Sequence, residues 1–494
     1  MAIKVNNSSI QKNANQFARL LDAADVPTRG VVAALLPNCS EFVYCLRGAT
    51  WSGRTFTPVN WHLKPMDVAY IIENSEARVF VAHADFSEVA QSVAHLIPPE
   101  ARFSVGGDIP GFRSFDECLG YSDDELSQPL AGSIMMYTSG TTGRPKGVKP
   151  ATPKVEPPPC MATKAGLMML SSYLKDNAEG PHLVAAPLYH AAPITYAEGA
   201  ALLGSDVVIM EKWDAEEFLR LVEKETICST FLVPTHIVRL LQLPEETRAK
   251  YDLSSLKFIC HGAAPISKAV KRRAIDWLGP VLFEFYGGTE GGGISISSTE
   301  WLDHPGSVGK PRPDQAVYII GDDGSPCATG SPGTIYFQAN ENRFEYKDDP
   351  QKTASAYRDD KYTLGDMGYL DEEGYLYICD RQADTIISGG VNIFPAEIEA
   401  VLQEHPAVRD CCVVGVKDDE WGEKVFSAIQ LLDNTVDADA IRQDIEQHCR
   451  AQLAGFQVPR KFVFELTLPR TETGKIKRGE IRDQYRSLYN TYSG

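Results

Sequence analysis

Residues 137–148 read Tyr-Thr-Ser-Gly-Thr-Thr-Gly-Arg-Pro-Lys-Gly-Val. Thr138, Ser139, Thr141 and Thr142 bring hydroxyl donors, and Arg144 and Lys146 bring positive charge. Gly140, Gly143 and Gly147 let a backbone approach an anion closely, with amide N–H groups as further donors. The apolar run Ile134-Met135-Met136-Tyr137 reads as a buried strand, so the loop is expected to leave a sheet edge. Together these residues form a cradle for a polyphosphate. It differs from the usual nucleotide P-loop, which needs Gly before the Lys and Ser or Thr after it. Here Pro145 precedes Lys146 and Gly147 follows. The plain alternative is a surface turn without chemistry. The density of phosphate-compatible residues within twelve positions argues against it.

Working outward, helical and strand patterns alternate. Ser9 is expected to cap a first helix running to about Ala24, and further helices are expected at Ser40–Trp51, Pro65–Asn74, Ala215–Lys224, His236–Leu241 and Ser267–Trp277. Strands are expected at Val31–Leu36, Thr55–Val59, Arg78–Ala82, Asp206–Met210, Ser229–Val233, Lys257–Cys260 and Val281–Phe285. Such alternation implies an α/β fold with parallel sheets, whose ligands bind beyond the carboxyl ends of the strands. Three Gly-rich segments follow expected strands, as that rule requires. Residues 150–159 hold five prolines and read as irregular. The pattern near Arg381 changes to a compact α+β unit. Its expected parts are a helix at Ala396–Gln403, strands at Cys411–Val416 and Val425–Leu432, a helix at Ala438–Gln452 and a last helix after Lys477. The division expected is a large domain over 1–380 and a smaller one over 381–494.

The bulk properties narrow the function. A net charge of −18 over 494 residues argues against a nucleic-acid partner. Hydrophobic content of 43% and charged content of 23% are ordinary for a globular chain with a large core. Eleven scattered cysteines, without a C-x-x-C pair, read as reduced thiols, with Cys411-Cys412 in the core. No apolar run has the length of a membrane span, and the polar N-terminus lacks a targeting core. A cytoplasmic enzyme, monomer or homodimer, is the expectation.

The 137–148 run resembles the phosphate-loop signature of the adenylate-forming superfamily: acyl-CoA synthetases, luciferases and peptide-synthetase adenylation domains. Further segments match in the same order over nearly the whole chain. The resemblance implies a large N-terminal domain of α/β subdomains with a smaller, mobile C-terminal domain, and ATP as a co-substrate. It implies an ATP site built from Thr138, Ser139, Gly140, Thr141, Thr142, Gly143 and Lys146, with Gly262, Ala263 and Ala264 of the 261–265 segment against adenine. In Tyr286-Gly287-Gly288-Thr289-Glu290, it implies that Tyr286 and Gly287 border adenine, Thr289 meets the α-phosphate and Glu290 holds Mg²⁺. A single carboxylate suits Mg²⁺, which prefers one or two carboxylates with phosphate oxygens and water. Asp366 and Arg381 resemble the ribose-binding pair. His190, in Pro187-Leu188-Tyr189-His190, resembles a residue bordering the acid pocket. Lys475, in Pro469–Ile476, resembles the catalytic lysine, a cation able to neutralise charge between carboxylate and α-phosphate. Ser388–Pro395 resembles the loop that builds the thioester site.

Three positions depart from the family pattern. Leu364 stands where Thr or Ser usually precedes Gly365-Asp366, Thr334 where Glu is frequent, and Ala383 where Asp or Lys marks the pivot of the small domain. Within the superfamily the resemblance is to stand-alone acyl-CoA synthetases of the fatty-acyl and aryl type, with coenzyme A as acceptor. No carrier-protein domain is expected after residue 494. Tyr196, His236, Gly262 and Gly291-Gly292-Gly293 are expected to line the acid pocket, the three glycines leaving room at its floor. The motifs also admit, as the alternative, an enzyme of specialised metabolism with another acceptor, a carrier protein or an amine, or with an unusual acid such as nitrite, making it an ATP-dependent diazotase. A non-catalytic binding protein is disfavoured by Glu290, Asp366, Arg381 and Lys475.

Overall fold

Val31–Leu35 has no polar alternation, the pattern of a strand covered on both faces, and all five residues are buried. The computed structural model describes residues 2–138, 145–149, 156–174, 180–339, 343–418, 420–433, 437–470 and 476–489. In it this strand is central to an all-parallel sheet ordered 113–114, 102–105, 77–83, 31–35, 55–58, 133–134. Helices Asn7–Ala23, Ser40–Trp51 and Pro65–Ser75 contribute Phe17, Phe42 and Ile72 to its core, against Phe56, Phe80 and Phe103.

A second sheet runs 2–5, 207–210, 182–184, 229–232, 258–262, 282–288, 291–297. Its inner five strands are parallel and its two edges antiparallel. A third, antiparallel sheet is ordered 307–309, 376–381, 361–370, 333–338, 317–320. Three short strands, 345–346, 146–149 and 136–138, form a ribbon at the phosphate loop. From residue 386 onward a separate sheet holds strands 391–393, 386–388, 422–431, 408–418 and 461–464. Helices Pro395–Glu404 and Ala438–Gln452 bury Ile398, Leu402, Ile445 and Cys449 in its core. The chain is thus α/β, with a large N-terminal part and a smaller α+β part after it.

The expected elements are present, with instructive shifts. The first helix begins earlier than expected: Asn6 caps it, and its Oδ1 accepts the Ser9 N–H at 2.8 Å. Asn6 holds extended dihedrals suited to a cap, so Ser9 lies inside the helix. The run 134–137 is not one strand: 133–134 closes the first sheet, and 136–138 starts the ribbon. The strand expected at Val281–Phe285 continues to Gly288, so Tyr286, Gly287 and Gly288 belong to it instead of following it. Likewise His261 and Gly262 complete the strand Phe258–Gly262. Of the proline-rich 150–159 stretch, 150–155 lie outside the described residues. All eleven cysteines are free thiols; Cys327 is half-buried and the others, Cys411 and Cys412 included, are buried. Among the described residues no helix is long and apolar enough to cross a membrane.

Candidate active site

The site grows from a hairpin. Strands Leu282–Gly288 and Gly291–Ser297 pair antiparallel, with Gly288 opposite Gly291, so Thr289-Glu290 is a two-residue turn. A turn this short fixes the direction of the Glu290 side chain. Its Oε2 accepts the Thr289 hydroxyl at 2.9 Å, and its Oε1 accepts the Tyr346 hydroxyl at 2.8 Å. Burial and the Glu290 charge push the Tyr346 phenol above its usual range.

Tyr346 reaches the turn because of the ribbon. Strand Glu345–Tyr346 pairs with Lys146–Lys149, setting Tyr346 opposite Val148, and strand Met136–Thr138 sets Thr138 opposite Lys146. The two ends of the phosphate loop are therefore neighbours, and Lys146 lies on the arm that carries Tyr346. Ser139, Gly140, Thr141, Thr142 and Gly143 lie outside the described residues. Beside Lys146 is a second cation, Lys352. Burial, and then the Lys146 ammonium next to it, press the Lys352 amine down to about 8, while Glu290 acts in the opposite sense.

Four residues back along the hairpin strand, the Tyr286 hydroxyl donates to Asp366 Oδ2 at 2.8 Å. Arg381 Nε meets the other oxygen, Asp366 Oδ1, at 2.9 Å. The pair is built by register: Asp366 and Arg381 face each other on strands Lys361–Leu370 and Leu376–Arg381. Asp366 is buried and Arg381 is exposed, an anion at the base of a cleft with a cation at its rim. The Tyr286 phenol is raised by burial and by Asp366, and the Arg381 charge opposes this. Tyr286, which bonds Asp366, and Glu290, which bonds Tyr346, lie four positions apart at the same end of the hairpin, so the two groups are neighbours.

Gly262 has a steric reason to be glycine: a Cβ there would stand 2.4 Å from the Phe285 carbonyl oxygen. Ala263 follows with a left-handed φ of 68°, and its side chain is exposed together with the half-buried Ala264. His261 itself points inward. It is fully buried, pairs in register with Glu284, and is lowered well below the usual imidazole range by burial and the nearby Lys271 charge.

The glycine run is not an empty floor. A Cβ on Gly291 would strike the Tyr362 hydroxyl at 2.5 Å, and one on Gly293 would meet the Phe285 ring at 3.7 Å. The Phe285 ring also lies 2.9 Å from a Cβ built on Gly287. Aromatic rings occupy the space the glycines leave. Phe285 joins Tyr196, Phe231, Phe258 and Phe283 in one apolar cluster. Tyr196 stacks on Phe231 at 5.5 Å and accepts the Cys260 thiol at 3.0 Å. His236 stacks flat on Trp213 at 3.8 Å, and burial lowers it to about 3, as for a core histidine. His190 begins the helix Ala191–Leu202 and belongs to an aromatic group with Tyr189, 4.4 Å away, and Trp61.

Lys475 lies outside the described residues, but its flanks are fixed. Arg470 and Ile476, on either side of it, form an antiparallel bridge. Arg470 Nε is 2.8 Å from Asp410, and Arg478 grips Glu399, with Nη2 to Oε2 at 2.6 Å. Arg478 and Arg482 also reach Asp384, at 3.8 and 3.3 Å, next to Ala383. Sequence reasoning missed Tyr346, Lys352, Tyr362 and Phe285, whose places depend on pairing between distant strands.

A model of the AMP-binding enzyme family matches residues 5–342, and one of the AMP-binding enzyme C-terminal domain matches residues 397–475. The chain is 31% identical to the long-chain-fatty-acid–CoA ligase FadD13 of Mycobacterium tuberculosis, over 98% of this chain and 93% of that protein. It is 31% identical to a feruloyl-CoA synthase from an Amycolatopsis species, over 97% and 93% of the two chains. The solved structure of the anthranilate–CoA ligase AuaEII, in complex with anthranoyl-AMP, matches with a TM-score of 0.85 over 98% of this chain and 92% of that one. At 23% identity that likeness speaks for the fold.

Proposed function

The chain belongs to the AMP-binding enzyme family, and we propose that it is an AMP-forming acid–CoA ligase. A carboxylate oxygen of the acid attacks the α-phosphorus of ATP, and pyrophosphate leaves. The coenzyme A thiolate then attacks the acyl carbon, and AMP leaves. The observation that carries this reading is the cleft in which Lys146, Glu290, Asp366 and Arg381 converge, in a chain matched end to end by two CoA-ligating relatives.

In this reading Asp366 accepts the ribose hydroxyls, and Arg381 screens its charge. Tyr286 holds the carboxylate oriented and borders adenine with Gly287, Gly262, Ala263 and Ala264. Thr138, Lys146 and the 139–143 segment hold the phosphates, and Thr289 meets the α-phosphate. Glu290 suits a Mg²⁺ ion. It would hold the ion as a single carboxylate, an arrangement Mg²⁺ accepts where phosphate oxygens and water supply the other ligands. The ion, when bound, neutralises phosphate charge. Lys475 supplies a cation between carboxylate and α-phosphate, and His190 borders the acid. We place the domain boundary at 380–381 and the enzyme in the cytoplasm, a setting that suits eleven free thiols. Rotation of the small part about Ala383 exchanges the Lys475 segment for the Ser388–Pro395 hairpin between the two half-reactions.

The test is pyrophosphate release beside acyl-CoA formation, with ATP and a panel of fatty and aryl acids, with and without coenzyme A. Thioester formation with at least one acid is expected. Lys475→Ala should slow adenylation by about 10²–10³-fold, the usual scale for losing one preorganised charge donor. Pyrophosphate release with no thioester from any acid would assign a different acceptor or an unusual acid.

A further inference from the structure

Lys352 lies in none of the segments that mark the nucleotide site in the sequence. It is placed by backbone geometry. The Lys347 N–H donates to the Gly147 carbonyl at 2.8 Å, which ties the segment to the phosphate-loop arm. The helix Pro350–Ala356 follows at once, and Asp349 caps it by accepting the Lys352 N–H at 2.9 Å. The turn sends the Lys352 side chain back over Tyr346, with Nζ 4.7 Å from the ring centroid. The hydroxyl of the same ring is bonded to Glu290. Tyr346 therefore has Lys352 on its face and Glu290 at its tip, while Lys146 stands beside Lys352.

We propose that Lys352 is a second cation of the polyphosphate site, gripping the β- and γ-phosphates of ATP, and then pyrophosphate, together with Lys146. The inference rests on the adenylate-forming reading above. Two ammonium groups side by side repel each other, and the Glu290 and Asp349 carboxylates offset this only in part. A multiply charged anion between the lysines removes that repulsion, whereas AMP offers nothing at this position. The face of Tyr346 pre-orients Lys352, so little side-chain freedom is lost when the anion binds.

The experiment measures calorimetric affinities for α,β-methylene-ATP, pyrophosphate and AMP, with Mg²⁺ held constant, for wild type, Lys352→Gln and Lys352→Arg. Lys352 is half-buried on a short surface helix, and thermal unfolding of each variant checks that it is folded. Lys352→Gln should weaken the ATP analogue and pyrophosphate by about tenfold, the lower end for one charge-assisted contact, and leave AMP within about twofold. Lys352→Arg should restore most of the loss. Unchanged binding of the ATP analogue and pyrophosphate overturns the proposal. So does an equal loss for AMP, which would make Lys352 a support of the whole cleft. A wild type that binds neither AMP nor the ATP analogue removes the adenylate-forming reading and this inference with it. A wild type that binds both, beside an unaltered Lys352→Gln, removes only this inference.

Discussion

Asp366→Asn should weaken AMP through the ribose alone. The buried carboxylate already accepts Tyr286 on Oδ2 at 2.8 Å and Arg381 on Oδ1 at 2.9 Å. Two ribose hydroxyls compete for the remaining lone pairs, so the net gain on binding approximates one charge-assisted hydrogen bond, about 1.5–3 kcal/mol. That corresponds to about 10–150-fold in affinity. Asn keeps the size and one acceptor, so the cleft is not emptied. The Arg381 pair contributes little to stability, because a half-exposed ion pair lies near the surface range of about 0–1 kcal/mol. The assay is calorimetric binding of AMP and of 2′,3′-dideoxy-AMP to wild type and variant, with thermal unfolding as the folding control. Wild type should prefer AMP by roughly the factor the variant loses, and the variant should bind both nucleotides alike. A folded Asp366→Asn that binds AMP within about twofold of wild type would refute the assignment. So would a variant that still separates the two nucleotides.

Two further outcomes follow from the same cleft. Burial raises the Asp380 carboxyl from 3.8 to about 6, against the partly opposing Arg478 charge. The folded state thus binds this proton more tightly than the unfolded one. The stabilisation is complete below about pH 4 and is lost as pH rises through about 6, a change of about 3 kcal/mol. Urea unfolding of Asp380→Asn across pH 4–7 should lack this decline, and parallel slopes for wild type and variant would refute it. Phe285→Ala should lower stability by about 3 kcal/mol and open space beside Gly287 and Gly293, raising the kcat/KM ratio of longer over shorter acids by roughly tenfold per added methylene. An unaltered ratio would mean that the ring does not bound the acid pocket.

Much of the fold is local in the sequence. Val31–Leu35 is legible because an uninterrupted apolar run has few uses besides a strand covered on both faces. Helices Ser40–Trp51 and Ala438–Gln452 span the ranges their patterns imply. The errors concentrate where a local preference is overridden by pairing. Glycine is depleted from strands, so Tyr286-Gly287-Gly288 reads as a loop. It is a strand because Gly291 and Gly292 across the hairpin supply its partners, and because the glycines leave space for the rings of Phe285 and Tyr362. Asn6 outcompetes Ser9 as a cap because the chain is already extended there, a fact of dihedrals and not of composition.

The site divides along the same line. Residues proposed to meet the ligand from within one motif, such as Glu290 in its two-residue turn, announce themselves by spacing. Residues that join the site by crossing between motifs do not. Tyr346 and Lys352 lie about two hundred positions from Lys146, and only the register of Tyr346 on Val148 brings them to Glu290. The Asp366–Arg381 pair lies between these extremes: each residue has a recognisable neighbourhood, but their union needs strands 361–370 and 376–381 in one register. A shift of one residue in that register would turn one of the two side chains to the opposite face of the sheet and separate the pair. The proposed ribose site therefore depends on sheet pairing as much as on the two side chains. The same holds for the ribbon 136–138, 146–149 and 345–346, which places Lys146 relative to Lys352 and so underlies the proposed preference for a triphosphate over AMP.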